Sequence, residues 1–382
     1  MIVTHVAGLA LGIAIGLYNT LASLLLSGKQ LSDAAIGLVS SGYFVCQALG
    51  SALAIPIMGR VGGPVALAVC SALAAATGAL LPWCDSLVLV IALRVSMGIG
   101  IGAAMTITQS EVVQRAPQAR LEASSGVYAL LLGVGFSLGP VMGTALHQRW
   151  PHAIFGLGAL AAGMPSLLLG RRIRVVERAA QSGIQPPGGI FLPLLSVFAY
   201  GFAEAALVTL YPVVLQRQGR STFEVGATLS AFVLGALLAT YPVALLCRRI
   251  GQRKTLALVL VISIGALSLL SAQPPTALAY GLSVLAGASV GPMYTIGMGW
   301  IGRLLPSSEV SRGMAAFAFA VSVGCIVGPS TTGLAMTLLG VNGAFLAVIA
   351  VQVIALIGLR ASGTPDGASD ATLEAQHGEL VG

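Results

Sequence analysis

Apolar residues fall in long blocks along this chain, parted by short stretches that hold most of its charges. A helix needs roughly 20 apolar residues to cross a bilayer. Twelve blocks meet that length, at about 3–27, 34–58, 64–82, 86–110, 122–146, 152–170, 190–215, 223–247, 255–272, 276–300, 311–338 and 342–360. Six lie on each side of Arg171–Gly189, which is basic first (Arg171, Arg172, Arg174, Arg178) and Pro/Gly-rich after (Pro186, Pro187, Gly188, Gly189). That segment reads as a linker. The predicted organisation is a six-helix bundle over 1–170, a cytoplasmic linker over 171–189, a second six-helix bundle over 190–360, and a disordered cytoplasmic tail over 361–382 carrying Asp366, Asp370, Glu374 and Glu379. The first block has neither a basic segment nor a small-residue cleavage site before it, so it reads as a retained span.

One short phrase occurs twice. Gly135-Phe136-Ser137-Leu138-Gly139-Pro140-Val141-Met142-Gly143-Thr144 and Gly324-Cys325-Ile326-Val327-Gly328-Pro329-Ser330-Thr331-Thr332-Gly333 lie 189 positions apart. The same offset pairs Gly37 with Gly226, Arg60 with Arg249, Gly62 with Gly251, Gly98 with Gly287, Gly102 with Gly291 and Thr106 with Thr295. A register that holds from position 37 to position 333 makes the halves related copies in tandem. Glycines four apart share one helix face and admit a close neighbour. Proline removes a backbone hydrogen bond and bends the helix. The phrase is therefore expected to form a bent, close-packed hinge seam between the two bundles.

Composition excludes a soluble globule. Of 382 residues, 57% are hydrophobic and 8% charged, and the mean hydropathy is +0.95; soluble domains carry about 25% charged residues. The net charge of +7 does not point to nucleic acid, because the cations sit in short loops. Of the 19 Lys and Arg, a topology with both termini cytoplasmic places 14 inside: Arg60, Arg115, Arg120, Arg171, Arg172, Arg174, Arg178, Arg248, Arg249, Arg253, Lys254, Arg303, Arg312 and Arg360. It places Lys29, Arg149, Arg217 and Arg220 outside and leaves Arg94 within a span. That bias follows the positive-inside rule. The five cysteines are scattered through apolar segments with no metal-type spacing, and His147 and His152 lack a third ligand, so neither a metal nor a disulfide framework is expected. Trp83 and Trp150 at span edges read as interface anchors.

The duplicated phrase and two further stretches resemble the major facilitator superfamily, over about 3–360. Gly135–Thr144 matches that family's antiporter-type fifth-helix motif, G-x-x-x-G-P-x-x-G-[GT], which by resemblance seals one side of a central cavity. Arg94-Val95-Ser96-Met97-Gly98-Ile99-Gly100 matches R-x-x-x-G-x-G. The family's gate loop after span two, G-x-L-a-D-R-x-G-R-[KR], is kept only as Arg60 and Gly62, with Gly59 in the acidic place. Its second-half copy keeps Arg249, Gly251 and Arg253 but has Arg248 there. The general character resembles small bacterial transporters of the YcaD-like kind.

Read without the family, the twelve acids leave one well inside a span: Glu204. Glu111 nears the cytoplasmic end of span four, and the other acids lie in loops, at span ends or in the tail. A carboxylate at membrane depth costs several kcal/mol unless protonated or paired, so Glu204 is the candidate proton-coupling acid. Arg94 stays charged when buried and needs acceptors or an anion; it is the second proton-coupling candidate. The remaining intramembrane polar residues, Asn19, Tyr43, Gln47, Gln109, Tyr128, Tyr200 and Tyr294, are candidates for the substrate cavity. By resemblance, Arg60, Gly62, Gly135, Gly139, Pro140, Gly143, Arg249, Gly251, Gly324, Gly328 and Pro329 serve gating and helix packing.

The predicted fold is all-α: twelve transmembrane helices in two pseudo-symmetric six-helix bundles. The predicted function is secondary active transport of a small molecule across the cytoplasmic membrane by alternating access, as proton-coupled efflux of a drug or metabolite. Uptake, facilitated diffusion, or a non-transporting role in a membrane complex are the alternatives. No G-x-x-x-x-G-K-[ST] loop exists, so neither ATP nor any cofactor is expected. The expected partners are the substrate, protons and lipid, with the protein monomeric and not an enzyme.

Overall fold

A computed structural model describes residues 2–116, 121–170, 173 and 189–361. The predicted linker apart from Ile173 and Gly189, the loop cation Arg120, and the tail beyond Ala361 lie outside the described residues.

The first half comprises α1 (Ile2–Gly28), α2 (Asp33–Val61), α3 (Gly63–Leu80), α4 (Leu87–Arg115), α5 (Leu121–His147) and α6 (Ala153–Leu169). The second comprises α7 (Phe191–Arg217), α8 (Thr222–Ile250), α9 (Gln252–Ser271), α10 (Thr276–Val290), α11 (Pro292–Leu304), α12 (Ser307–Leu339) and α13 (Gly343–Ala361). Among the described residues, eleven spans are long and apolar enough to cross a membrane; α6, at 17 residues, is the short twelfth. The tenth span, expected unbroken, is α10 and α11 parted at Gly291, because Pro292 lacks the N–H that would carry the helical ladder through.

The 189-residue register extends to the helix ends. Shifting the bounds of α1 and α2 by it returns those of α7 and α8, and shifting α4 returns the start of α10 and the end of α11. Matching chemistry sets those bounds. Ser32 and Ser221 cap α2 and α8, each hydroxyl accepting from a backbone N–H at 3.3 Å. Gly62 and Gly251 end the same helices at φ 86° and 87°, a left-handed region that favours glycine.

The helices alternate in direction. One face, here the near face, carries the turns at Gly62 and Gly251 and the described ends Ile2 and Ala361; the far face carries the turns at 29–32 and 218–221. Arg60 and Arg249 are exposed at the near face.

The repeated phrase does not pack as expected. All its glycines but Gly333 pack within their own half. A β-carbon on Gly135 or Gly139 would strike α1 backbone at Leu9, Ile13 and Leu17, and one on Gly12 would strike Leu132 of α5. Gly324 and Gly328 likewise abut Phe198 and Phe202 of α7, and Gly201 abuts Val321 of α12. Gly143 faces the Leu17 and Leu21 side chains. Contact between halves runs through Ser137 and through the end of each phrase from its proline on. The Pro140 carbonyl and Thr144 meet Gly226 of α8, and the Pro329 carbonyl and Gly333 meet Gly37 of α2. Small-residue spacing dictates a close neighbour without saying which one.

Candidate functional site

The seam between halves is a pair of matching clasps on the far side of the molecule. Proline at 140 and 329 bends α5 and α12. At the following residue the backbone N–H turns to the other half: Val141 N–H donates to Ser230 Oγ of α8 at 3.2 Å, and Ser330 N–H donates to Ser41 Oγ of α2 at 3.1 Å. Ser137 Oγ also donates to the Ser230 carbonyl at 3.1 Å, and the Ser330 and Ser41 hydroxyls bond to each other. Ser41 and Ser230 are themselves 189 positions apart, a pair that sequence reasoning missed. Two further contacts close this face without duplication. Arg217 at the end of α7 donates to Asp33 at the start of α2 at 2.6 Å, and Ala34 N–H donates to Thr337 Oγ1 at 3.1 Å. The contact between halves continues inward to Gly133, which faces the Leu237 side chain.

Three of the predicted residues come together in the first half. Arg94, the eighth residue of α4, is 1% exposed. Its Nη2 donates to Asn19 Oδ1 of α1 at 3.0 Å, and its guanidinium carbon sits 4.2 Å from the centroid of the Tyr43 ring on α2. A desolvated cation over an aromatic face gains about 2 kcal/mol. Arg94 Nε and Nη1 and Tyr43 Oη find no hydrogen-bond partner among the described residues. The site therefore holds a full positive charge, met by one neutral oxygen and a ring.

Glu204 is the fourteenth of 27 residues in α7, about 20 Å from either helix end at about 1.5 Å per residue. It is the one partly exposed residue from Gly201 to Leu215; all the others in that stretch are buried. Tyr200 lies one turn earlier on the same face, and Tyr200, Tyr294 and Cys325 of the second phrase lie within electrostatic reach of its carboxyl. The Tyr200 and Tyr294 rings meet edge-on at 5.3 Å, and Tyr294 meets Phe317 at 4.9 Å. Arg94 and Glu204 do not pair: the ion pairs identified among the described residues are Arg217–Asp33 and Arg115–Glu111.

The other predicted cavity residues lie apart. Tyr128 is 3% exposed and clipped inside the first half, its hydroxyl 2.8 Å from Thr108 Oγ1. The backbone of Gln47 backs onto Gly98 and Gly102 of α4, and Gln109 is exposed toward the near end of α4.

The sequence profile of the Major Facilitator Superfamily matches residues 4–191 and 193–380. The chain is 24% identical over 358 residues to the MFS-type transporter YcaD of Escherichia coli O139:H28, covering 91% of this chain and 92% of that one. It is 25% identical over 260 residues to the MFS-type transporter YfkF of Bacillus subtilis, covering 66% of each. Among solved structures, a bacterial homologue of the human lysosomal transporter Spinster, inward-facing and occupied, superposes with a TM-score of 0.78 at 16% identity, over 94% of this chain and 95% of that one. A D-xylose–proton symporter superposes with a TM-score of 0.74 at 15% identity, over 97% and 98%.

Proposed function

The chain belongs to the major facilitator superfamily and is a multi-pass membrane protein and secondary transporter; from that premise we propose that it exports a small molecule across the cytoplasmic membrane in exchange for protons. The halves 1–170 and 190–360, joined by the linker 171–189, rock about the mid-depth site as a monomer, with both termini and the near face cytoplasmic. The clasps on the far side support a reading of this state as closed outward and open toward the cytoplasm.

The observation that carries the proposal is Glu204: a mid-depth carboxylate, partly exposed in an otherwise buried stretch, with the Tyr200 and Tyr294 phenols beside it. A neutral acid is cheap there and an ionised one costly, so proton loss is tied to whatever else enters the cavity. Arg94 is the fixed positive charge in the opposite half; approach of the halves favours the ionised form of Glu204. Of the expected cavity residues, Tyr200 and Tyr294, partly exposed beside Glu204, are the polar groups offered to substrate.

The test is flux in proteoliposomes under an imposed pH gradient, screened against a substrate panel. The wild type should move substrate against the proton flow. Glu204→Gln should abolish the pH dependence and keep substrate exchange at zero gradient. Unchanged coupling in Glu204→Gln overturns the reading, and substrate moving with protons replaces export by uptake.

A further inference from the structure

At the near face of the second half, the ends of α8 and α11 and the start of α9 enclose a cavity of about 240 Å³. Cys247, Arg248, Gln252, Thr295, Gly299 and Arg303 line it, and no acid among the described residues does. Arg248 has no hydrogen-bond or ion-pair partner among the described residues. Among the described residues Arg303 hydrogen-bonds only the amide of Gln252, whose oxygen, turned toward it, accepts from Nε at 3.0 Å and Nη1 at 3.2 Å. A neutral amide leaves the guanidinium charge uncompensated.

The matching place in the first half is built differently. The residues 189 positions earlier are Met58, Gly59, Gly63, Thr106, Ser110 and Gln114, with no cation among them. There the Ile173 side chain packs against Gly63 and Met58 in an apolar cluster. The first half fills this place with an aliphatic side chain; in the second, the described residues that face it include two arginines.

We propose that this cavity seats a phosphate-bearing anion, supplied by the headgroup of an anionic phospholipid. It lies level with helix ends, where headgroups sit, and a basic pocket between spans at a membrane surface suits that chemistry. The arginine fork matches phosphate oxygens two at a time. Free inorganic phosphate shares the chemistry and is separated by the test.

The full-length protein in a non-ionic detergent is given equimolar phosphatidylglycerol and phosphatidylcholine, and bound lipid is counted by native mass spectrometry. The wild type should retain phosphatidylglycerol preferentially. At about fivefold per surface arginine, Arg248→Gln with Arg303→Gln should lose roughly thirtyfold in its affinity. The charge-keeping pair Arg248→Lys with Arg303→Lys should retain most of it, which guards against misfolding. Arg360→Gln, exposed at the same face but outside the cavity, should change it by no more than about fivefold. Equal retention of the two lipids, or undiminished retention in the double Gln variant, overturns the proposal. If inorganic phosphate displaces the lipid as effectively as added phosphatidylglycerol does, the source is free phosphate and the lipid assignment falls.

Discussion

Gly226→Ala isolates the seam between the halves. The new β-carbon would point at the Pro140 carbonyl oxygen and the Thr144 side chain of the opposite half. Thr144 is fully buried, and its hydroxyl already donates to the Pro140 carbonyl at 2.9 Å, so it has little room to turn. The carbonyl is backbone and cannot turn, so α8 and α5 must part. Overpacking of this kind costs about 1–3 kcal/mol. The cost falls on the far-closed state alone, because the contact is lost when the halves separate there. The ratio of far-closed to far-open molecules should drop about five- to 150-fold. Gly37→Ala acts through the matching contact with Pro329, and the two should add as separate sites. The assay is maleimide labelling of Ser137→Cys, a seam position 9% exposed, in a background without the native cysteines. Labelling from the far side should speed up in each variant and most in the double. Background labelling in all three would refute the reasoning. Gly135→Ala and Gly324→Ala are the contrast: their contacts lie inside one half and persist in both states, so they should lower the melting temperature and leave the labelling ratio alone.

Ser41→Ala and Ser230→Ala each strand the N–H beside a kink proline at about 1 kcal/mol, and each should raise far-side labelling about fivefold. Asp33→Asn removes the ion pair with Arg217, whose side chain is 37% exposed, so the effect should stay under about 1 kcal/mol, shrink with salt, and reverse in the swapped pair Asp33→Arg with Arg217→Asp. Asn19→Ala takes from Arg94 its side-chain acceptor and should cost about 1.5–3 kcal/mol, read as a lower melting temperature in detergent; a wild-type melting temperature would show that the guanidinium is already satisfied otherwise.

The fold was legible because two signals reinforced each other. Apolar blocks marked the spans, and a constant offset tied one half to the other down to the serine caps and turn glycines. Partners were not legible. Gly37 and Gly226 stood out as a pair, but only coordinates show that each faces a proline carbonyl across the seam. Ser41 and Ser230 escaped notice because serine in an apolar helix ordinarily bonds its own preceding turn, as Ser23 does to Asn19. The break at Gly291 was signalled by the Gly-Pro pair itself, and the apolar run around it masked the signal. Of the candidate site, the grouping of Arg94 with Asn19 and Tyr43 follows from α4, α1 and α2 meeting at matched depth, which spacing along one chain does not encode.

What the offset preserves and what it abandons differ by role. The clasp is duplicated part by part: glycine, proline, released N–H and serine occur in both halves. The polar interior is not. The counterparts of Arg94, Asn19 and Tyr43 are Ser283, Val208 and Phe232, and the counterparts of Glu204, Tyr200 and Tyr294 are Ile15, Leu11 and Met105. A rigid-body rocking motion must break both clasps together, so mismatched clasps would leave one holding after the other had opened; symmetry there keeps the two costs equal. Charge has the opposite requirement. Two cations or two acids facing each other across the seam would resist closure, whereas in the proposed cycle one cation in the first half and one ionisable acid in the second attract on approach and make closure depend on the proton. In the proposed cycle, duplication supplies the hinge and divergence between the copies supplies the coupling chemistry.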